Sequence, residues 1–196
     1  MVKELPGILF LIVGNSGSGK DTIISEIIKK YPSHLKQIFA PKRYITRKSS
    51  QTEKNILITV GKFKYMEENG QFALKWHIYN LDYGIPIEID DWLKKGNPVI
   101  INVSRTIVNR ARELYKNIKV VFIDAPLDII IKRLNERGRE NSELLKERIK
   151  RAQLNQEFPE ADYIIDNSGD LEDAVDTLLN YLLENIDQNY SSVLRS

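Results

Sequence analysis

The chain has 196 residues, 42% of them apolar and 29% charged, enough for one domain with a real core and an ordinary folded balance. Lys and Arg number 29 against 27 Asp and Glu, a formal charge of +2, which excludes a partner held by overall charge, nucleic acid included. Any anion site must come from local clustering. Cysteine is absent, so disulfides and thiolate metal sites are excluded, in keeping with a reducing, cytoplasmic setting. The apolar run GILFLIV, Gly7 to Val13, is far shorter than the ~20 residues that span a bilayer. No small-residue cleavage pattern follows it, so it predicts a buried strand in an intracellular protein with no membrane partner.

Along the chain, short apolar runs alternate with helical periodicity, the pattern of a parallel α/β sheet. A strand at Ile8–Val13 is followed by a helix carrying Ile23, Ile24, Ile27 and Ile28 and closed by Pro32. Gln37–Ala40 is a weaker strand. Lys42–Glu88 breaks the alternation with aromatics, basic residues and turn formers. Val99–Val103 is a strand, and Ser104 caps a helix expected over Arg105–Tyr115. Lys119–Asp124 is the next strand; Pro126 opens a helix running to Arg137, with Gly138 as its stop. Arg137–Gln156 is heavily charged. After a strand at Tyr163–Asp166, Asp170 caps a last helix whose stripe is Leu171, Ala174, Val175, Leu178, Leu179, Leu182 and Leu183. From Asn185 the period fades and fraying is expected. These elements predict a three-layer P-loop α/β domain over 1–190, with core 1–41, 89–133 and 152–190. An acceptor-binding insert occupies 42–88, a lid 134–151 and a frayed tail 191–196.

Gly14-Asn15-Ser16-Gly17-Ser18-Gly19-Lys20 fits G-x-x-x-x-G-K between a strand and a helix, the context in which that spacing makes a phosphate loop. Glycines let successive amides point into one concavity, and the helix N-terminus adds positive charge. Lys20 then reaches the β- and γ-phosphates of ATP. Asp21 stands where a Mg²⁺-binding hydroxyl is usual. Thr22, which closes the expected nucleotide-binding stretch, is one position late and points ~100° away on a helix. Mg²⁺ prefers oxygen ligands, and the strand Val99–Ser104 carries Asn102 where a metal-supporting acid often stands. Asp21 is therefore expected to supply the acid that Asn102 does not; otherwise it is a first-turn acid favoured by the helix dipole.

RLNERGRENSELLKERIKR carries Arg133, Arg137, Arg139 and Arg148. Arg133 and Arg137 share a helical face. Arginine forks match the equatorial oxygens of a phosphoryl group in transfer, and a mobile lid excludes water. Pairing with Glu136, Glu140, Glu143 and Glu147 would instead make this a solvated surface. In PKRYITRKSS, alternation places Arg43, Ile45 and Arg47 on one side of an extended segment. FALKWHIYNLDYG adds Lys75, Trp76, His77 and Tyr83. Basic and aromatic residues together point to an anion pocket. Single-stranded RNA could use the same mixture, but the net charge does not favour it.

With the phosphate loop, TR (Thr46-Arg47), YG (Tyr83-Gly84), RLNERGR and DYIIDNSGDLEDAV in this order, the chain resembles the guanylate kinase-like P-loop kinases over nearly its whole length. The resemblance implies that Arg47 and Tyr83 hold an acceptor phosphate and that Asn167, otherwise a plain turn residue, contacts adenine. It departs from guanylate kinase where the second acceptor arginine falls on Ser50 or nothing. It departs again where the guanine-binding glutamate is Lys75, an ammonium that can only donate, and where Asn102 replaces an aspartate. GNSGSGKD, RYITR, FALKWH, EIDDWL, NVSR and RGREN are similar to the ribose 1,5-bisphosphate phosphokinase branch, and this covers Asp21 and Asn102.

That branch implies ATP- and Mg²⁺-dependent phosphorylation of ribose 1,5-bisphosphate to 5-phosphoribosyl 1-diphosphate. The attacking group is an anionic phosphate, so positioning and charge suffice without a strong base. A substrate with two phosphates and no base calls for donors; Arg43, Arg47, Lys75, His77, Tyr83 and Arg105 are the candidates, with Asn102 and Ser104 for sugar hydroxyls. Trp76 divides between core and pocket lining, His77 has a structural alternative, and His34 is expected at the surface. Two rivals stand: a nucleoside monophosphate kinase of altered base choice, and a non-catalytic binding module. A homodimer is left open.

Overall fold

The computed structural model describes residues 2–47, 55–137 and 142–193. Strand β1, Leu9–Val13, is buried at all five positions. It lies between two parallel neighbours distant in sequence, β6 (Val99–Asn102) and β7 (Ile118–Asp124), and β8 (Tyr163–Asp166) extends the sheet to the order β6-β1-β7-β8. Alternate side chains leave a strand on opposite faces. Leu9, Leu11 and Val13 therefore join one core with Ile101, Val120 and Phe122, while Phe10 and Ile12 join another with Ile23, Ile27, Val175 and Leu178. A strand covered on both faces must be apolar throughout, which is why LFLIV carries no polar residue.

Helix α1, Lys20–Lys30, starts directly from the phosphate loop and stops at Tyr31, which turns extended because Pro32 disfavours the helical conformation in the residue before it. The Ser104 side chain accepts from the Thr106 amide as expected, but the first turn, Arg105–Ile107, is 3₁₀ and the α-helix proper, α4, is Val108–Leu114. Gln37–Ala40 does not become a strand. It contributes one parallel bridge, Phe39 beside Val99, since Pro41 has no amide with which to continue a ladder.

The insert builds a second sheet from β2 (Tyr44–Ile45), β3 (Ile56–Leu57), β4 (Phe72–Ile78) and β5 (Leu81–Pro86), in the order β3-β2-β5-β4. Helix α2, Val60–Glu68, is capped by Thr59, and α3, Ile89–Lys94, leads back to the main sheet. Leu74 and Ile85 bury in the same core as Leu9 and Val99, so the insert shares hydrophobic surface with the main sheet. Tyr79 and Asn80, with φ of 55° and 56°, form the two-residue link between β4 and β5.

The charged segment folds as α5, Leu127–Arg137, and α6, Ser142–Leu154, around a small cluster of Ile130, Leu134 and Ala152. Gly138 lies outside the described residues. Helix α7 runs Leu171–Val193, and Asp170 accepts from the Glu172 amide at 3.1 Å. The helix continues past Asn185, where the period is expected to fade, to Val193. Ile186 follows Leu182 by four residues and is 1% exposed, extending the stripe one more turn. Asn189 donates to the Pro6 carbonyl and accepts from Asn117. Residues 194–196 lie outside the described set. Before β1 and β7, away from the phosphate loop, the Tyr115 hydroxyl donates to the buried Asp90 at 2.6 Å beside Lys3. Burial, then this bond to Asp90, pushes the Tyr115 hydroxyl far above its ordinary pKa.

Candidate active site

The phosphate loop sits where β1 ends between two non-sequential neighbours, the crevice in which open α/β sheets bind ligands. Gly14 and Gly19 have φ of 148° and 95°. A Cβ at Gly14 would lie 2.5 Å from the Ile123 carbonyl oxygen, and one at Gly19 2.3 Å from Asn167 Nδ2. Both positions therefore need glycine for conformation and for space. Ser18 is fully buried. Lys20 Nζ donates to the carbonyls of Gly14 (2.8 Å) and Asn15 (2.6 Å), curling back over the loop. Thr22 is exposed but lines the cleft.

From α5, Arg133 donates through Nη2 to the Asn167 carbonyl at 3.2 Å. Its Nη1 is buried with no hydrogen-bond partner among the described residues, and so is Asn167 Oδ1. Asn167, 2% exposed, donates to the Ser18 carbonyl at 2.7 Å. The orphaned Arg133 donor beside a glycine cradle fits a nucleotide phosphate site: a buried donor without a partner costs about 1–3 kcal/mol, and a phosphate oxygen would satisfy it, whereas Asn167 Oδ1 is left to accept from an N–H group. From α6, Arg148 is 9% exposed and donates to Ser16 Oγ at 2.8 Å. Arg137 ends α5, but its side chain and all of Arg139 lie outside the described residues.

The cleft holds about 510 Å³. Among the described residues seven cationic side chains line it, Lys20, Arg43, Arg47, Arg105, Arg133, Arg148 and Arg151, against a single carboxylate, Asp21. Arg43 donates to Asn55 Oδ1 (3.1 Å), to the Asn102 carbonyl (3.2 Å) and, at 3.4 Å, to Asp21. Asn102 Nδ2 donates to the same Asp21 oxygen at 2.6 Å. The acid that is unusual and the amide that replaces the usual acid are thus direct partners. Among the described residues no group of three or more His, Cys, Asp or Glu is placed to hold a metal; Asp21 fits as one oxygen ligand beside substrate phosphates, the arrangement Mg²⁺ favours.

On the acceptor wall Arg43, Ile45 and Arg47 all face the cleft. Trp76 and Tyr83 stack across β4 and β5, centroids 5.3 Å apart and planes at 4°. Trp76 lines the cleft and also packs on the main core. Lys75 and His77 do not belong here. Strand period two sends Trp76 and Ile78 inward and both of these outward, where Lys75 pairs with Glu67 and His77 with Asp82. Lys75 therefore does not oppose a base by its charge; the acceptor wall lacks a carboxylate altogether among the described residues. Arg105 is also displaced from its expected place. Its guanidinium donates to the carbonyls of Asn155 and Glu157 and to Asn15 Oδ1, on the donor side. Burial, then Arg151, lowers its pKa. Ser104 lines the cleft, its oxygen also accepting from Thr106. His34 is exposed.

Arg151 and Tyr79 line the cleft without having been expected there. Arg151 was legible: it follows Arg148 by three residues, hence one helical face. Tyr79 had no such signal, being a residue type foreign to two-residue turns. Among the described residues no helix is long and apolar enough to cross a membrane.

Comparison with known proteins agrees with this geometry. The family model for guanylate kinase matches residues 8–185. Ribose 1,5-bisphosphate phosphokinase PhnN of Bradyrhizobium diazoefficiens is 36% identical over 84% of this chain and 82% of its own length. The protein of that name from Pectobacterium parmentieri is 35% identical over 89% of this chain and 93% of its own. The crystal structure of guanylate kinase from Anaplasma phagocytophilum superposes with a TM-score of 0.65 at 18% identity, covering 94% of this chain and 88% of that one, a likeness of fold. The chain belongs to the guanylate kinase family of P-loop kinases, on its PhnN-type branch.

Proposed function

We propose that the chain transfers the γ-phosphate of ATP to ribose 1,5-bisphosphate, giving 5-phosphoribosyl 1-diphosphate and ADP in the cytoplasm. The observation that carries the reading is the charge of the cleft, seven cations and one carboxylate with no acid on the acceptor wall among the described residues. Guanine offers N1–H and N2–H₂ donors that need acceptors, whereas a sugar bisphosphate needs cations. The PhnN name of relatives at 35% and 36% identity adds the substrate.

Lys20, the loop amides and Arg133 hold the donor phosphates, with Arg133 Nη1 as the unspent donor; Asn167 Oδ1 is the acceptor left for the adenine amino group. Arg43, Arg47 and Tyr83 hold the sugar phosphates, with Asn102 and Ser104 near its hydroxyls. An oxygen of the 1-phosphate attacks the γ-phosphorus, the bond to the β–γ bridging oxygen breaks, and ADP takes up that electron pair. No proton needs removing from an anionic nucleophile, so the chain's work is alignment and charge. Arg148 and Arg151 offset charge on the oxygens in transfer and exclude water. Asp21 would hold Mg²⁺, which when bound offsets charge on the β- and γ-oxygens.

The test is a screen of ribose 1,5-bisphosphate, other sugar phosphates and nucleoside monophosphates with Mg-ATP, reading ADP and product mass. Turnover on the pentose bisphosphate, at least ~100-fold above GMP in kcat/KM, is expected; that ratio is about 2.7 kcal/mol. Brisk GMP phosphorylation with the bisphosphate ignored would overturn the reading.

A further inference from the structure

We propose that Tyr79 is a positioning residue of the phosphotransfer site, holding Arg148 and Arg151 over the phosphate loop from the tip of the acceptor hairpin. It deepens the kinase reading above and rests on it. Tyr79 and Asn80 are the non-glycine residues with positive φ among the described residues. A two-residue hairpin with both φ positive favours Asn, Asp and Gly. Asn80 obeys this; a bulky side chain in the left-handed region is an outlier, and such outliers persist where the surroundings over-determine them. Here the surroundings are two arginines. The guanidinium carbons of Arg148 and Arg151 lie 5.1 and 5.2 Å from the Tyr79 ring centroid, within the ~6 Å reach of cation–π attraction. Arg148 in turn donates to Ser16 Oγ in the phosphate loop. One ring on the acceptor sheet thus ties α6 to the donor site. Burial raises the Tyr79 hydroxyl above its ordinary pKa against the pull of both arginines, so the ring stays neutral.

A merely structural tyrosine and a positioning one respond oppositely to Tyr79→Asn, which installs the residue that the turn favours. For a positioning ring, Tm is expected to hold or rise. Affinity for a non-hydrolysable ATP analogue, measured by calorimetry without acceptor, is expected to fall about five- to tenfold. The drop in kcat, roughly tenfold or more, is expected to exceed any change in acceptor KM. Tyr79→Phe keeps the ring and stays within about threefold of the parent, while Tyr79→Leu follows Tyr79→Asn. Arg148→Gln costs much less in the Tyr79→Leu background than alone, because the two act together. Parent-like analogue binding by Tyr79→Leu, additive losses in the double variant, or a loss that simply tracks Tm would overturn the assignment. The binding arm needs no acceptor, so a wrong acceptor would fail the screen above and leave this outcome readable.

Discussion

Replacing Asn102 by Asp puts a second carboxylate against the first, and the cost follows from the geometry. Asn102 Nδ2 donates to Asp21 Oδ1 at 2.6 Å, and a hydrogen bond to a charged group is worth about 1.5–3 kcal/mol. Asp21 is 42% exposed, so the lower end applies. Two carboxylates about 3 Å apart at an effective dielectric near 20 repel by roughly 5 kcal/mol. A shared proton limits this, because taking one up at pH 7 costs no more than about 4 kcal/mol for a group that titrates near 4. Solvent at the exposed Asp21 and the Arg43 fork at 3.4 Å reduce the repulsive part to roughly half, about 2 kcal/mol. The sum is about 3.5 kcal/mol, a fall in Tm of roughly 7–14 °C for a domain of this size.

Differential scanning calorimetry without metal at pH 7 and pH 5 measures it. Repulsion of about 2 kcal/mol shifts protonation of the folded pair up by roughly one to two pH units over an unfolded aspartate, so its pKa is raised by folding but stays below pH 7. Stability is then lost as pH rises through the folded value and regained as pH falls, by at most about 1.4 kcal/mol per pH unit. The deficit of Asn102→Asp should therefore be full at pH 7 and begin to shrink by pH 5, by less than about 1.4 kcal/mol. Adding Asp21→Ser, which leaves a hydroxyl to donate to the new carboxylate, should recover most of it. If Asn102→Asp melts with the parent at both pH values, the Asp21–Asn102 contact does not exist in solution and the account of this pair is wrong.

Three further outcomes are expected. Lys75→Ala and His77→Ala, on the outward side of β4, leave kcat/KM within about twofold, and a tenfold loss in steady-state assays would return them to the cleft. Asp21→Ala raises the Mg²⁺ concentration for half-maximal rate by about tenfold, whereas an unchanged titration removes Asp21 from the metal. Tyr115 keeps its proton in the fold and loses it near pH 10 when unfolded, so its contribution is complete below that pH. Above it, stability falls by up to about 1.4 kcal/mol per pH unit; Tyr115→Phe should show a visibly flatter decline of Tm between pH 9.5 and 11.

The donor side was readable in the sequence because its chemistry is local. A phosphate loop is consecutive backbone, so Gly14 to Lys20 declare it by spacing, and the arginines of one helix declare a face. The acceptor side depends on which way a strand turns its side chains, and that depends on registers set by distant pairings. Lys75 and His77 lie beside Trp76 in sequence, yet one residue of register sends them to solvent. Arg105 belonged to the right cleft and the wrong wall, because a 3₁₀ first turn and three acceptors from Asn15, Asn155 and Glu157 draw it to the donor side. The pairing of Asp21 with Asn102, 81 residues apart, shows both limits: their exchange of residue types was visible, their contact was not.

The same contacts explain how so many cations share one cleft before any phosphate arrives. Like charges in a low-dielectric cleft repel strongly, and the lone carboxylate among the described residues does not balance them. Lys20 donates to the carbonyls of Gly14 and Asn15, Arg105 to those of Asn155 and Glu157, Arg133 to that of Asn167, and Arg43 to that of Asn102. Arg148 donates to the Ser16 hydroxyl. Neutral oxygens hold a guanidinium in place but bind it less strongly than an anion does. A phosphate entering the cleft therefore finds donors already aimed by the backbone and held by partners it can displace. Asp21, the carboxylate among the described residues that line the cleft, meets Arg43 at a long 3.4 Å. These carbonyl and hydroxyl contacts keep the side chains ordered and aimed into the cleft, which is what catalysis by preorganised charge requires.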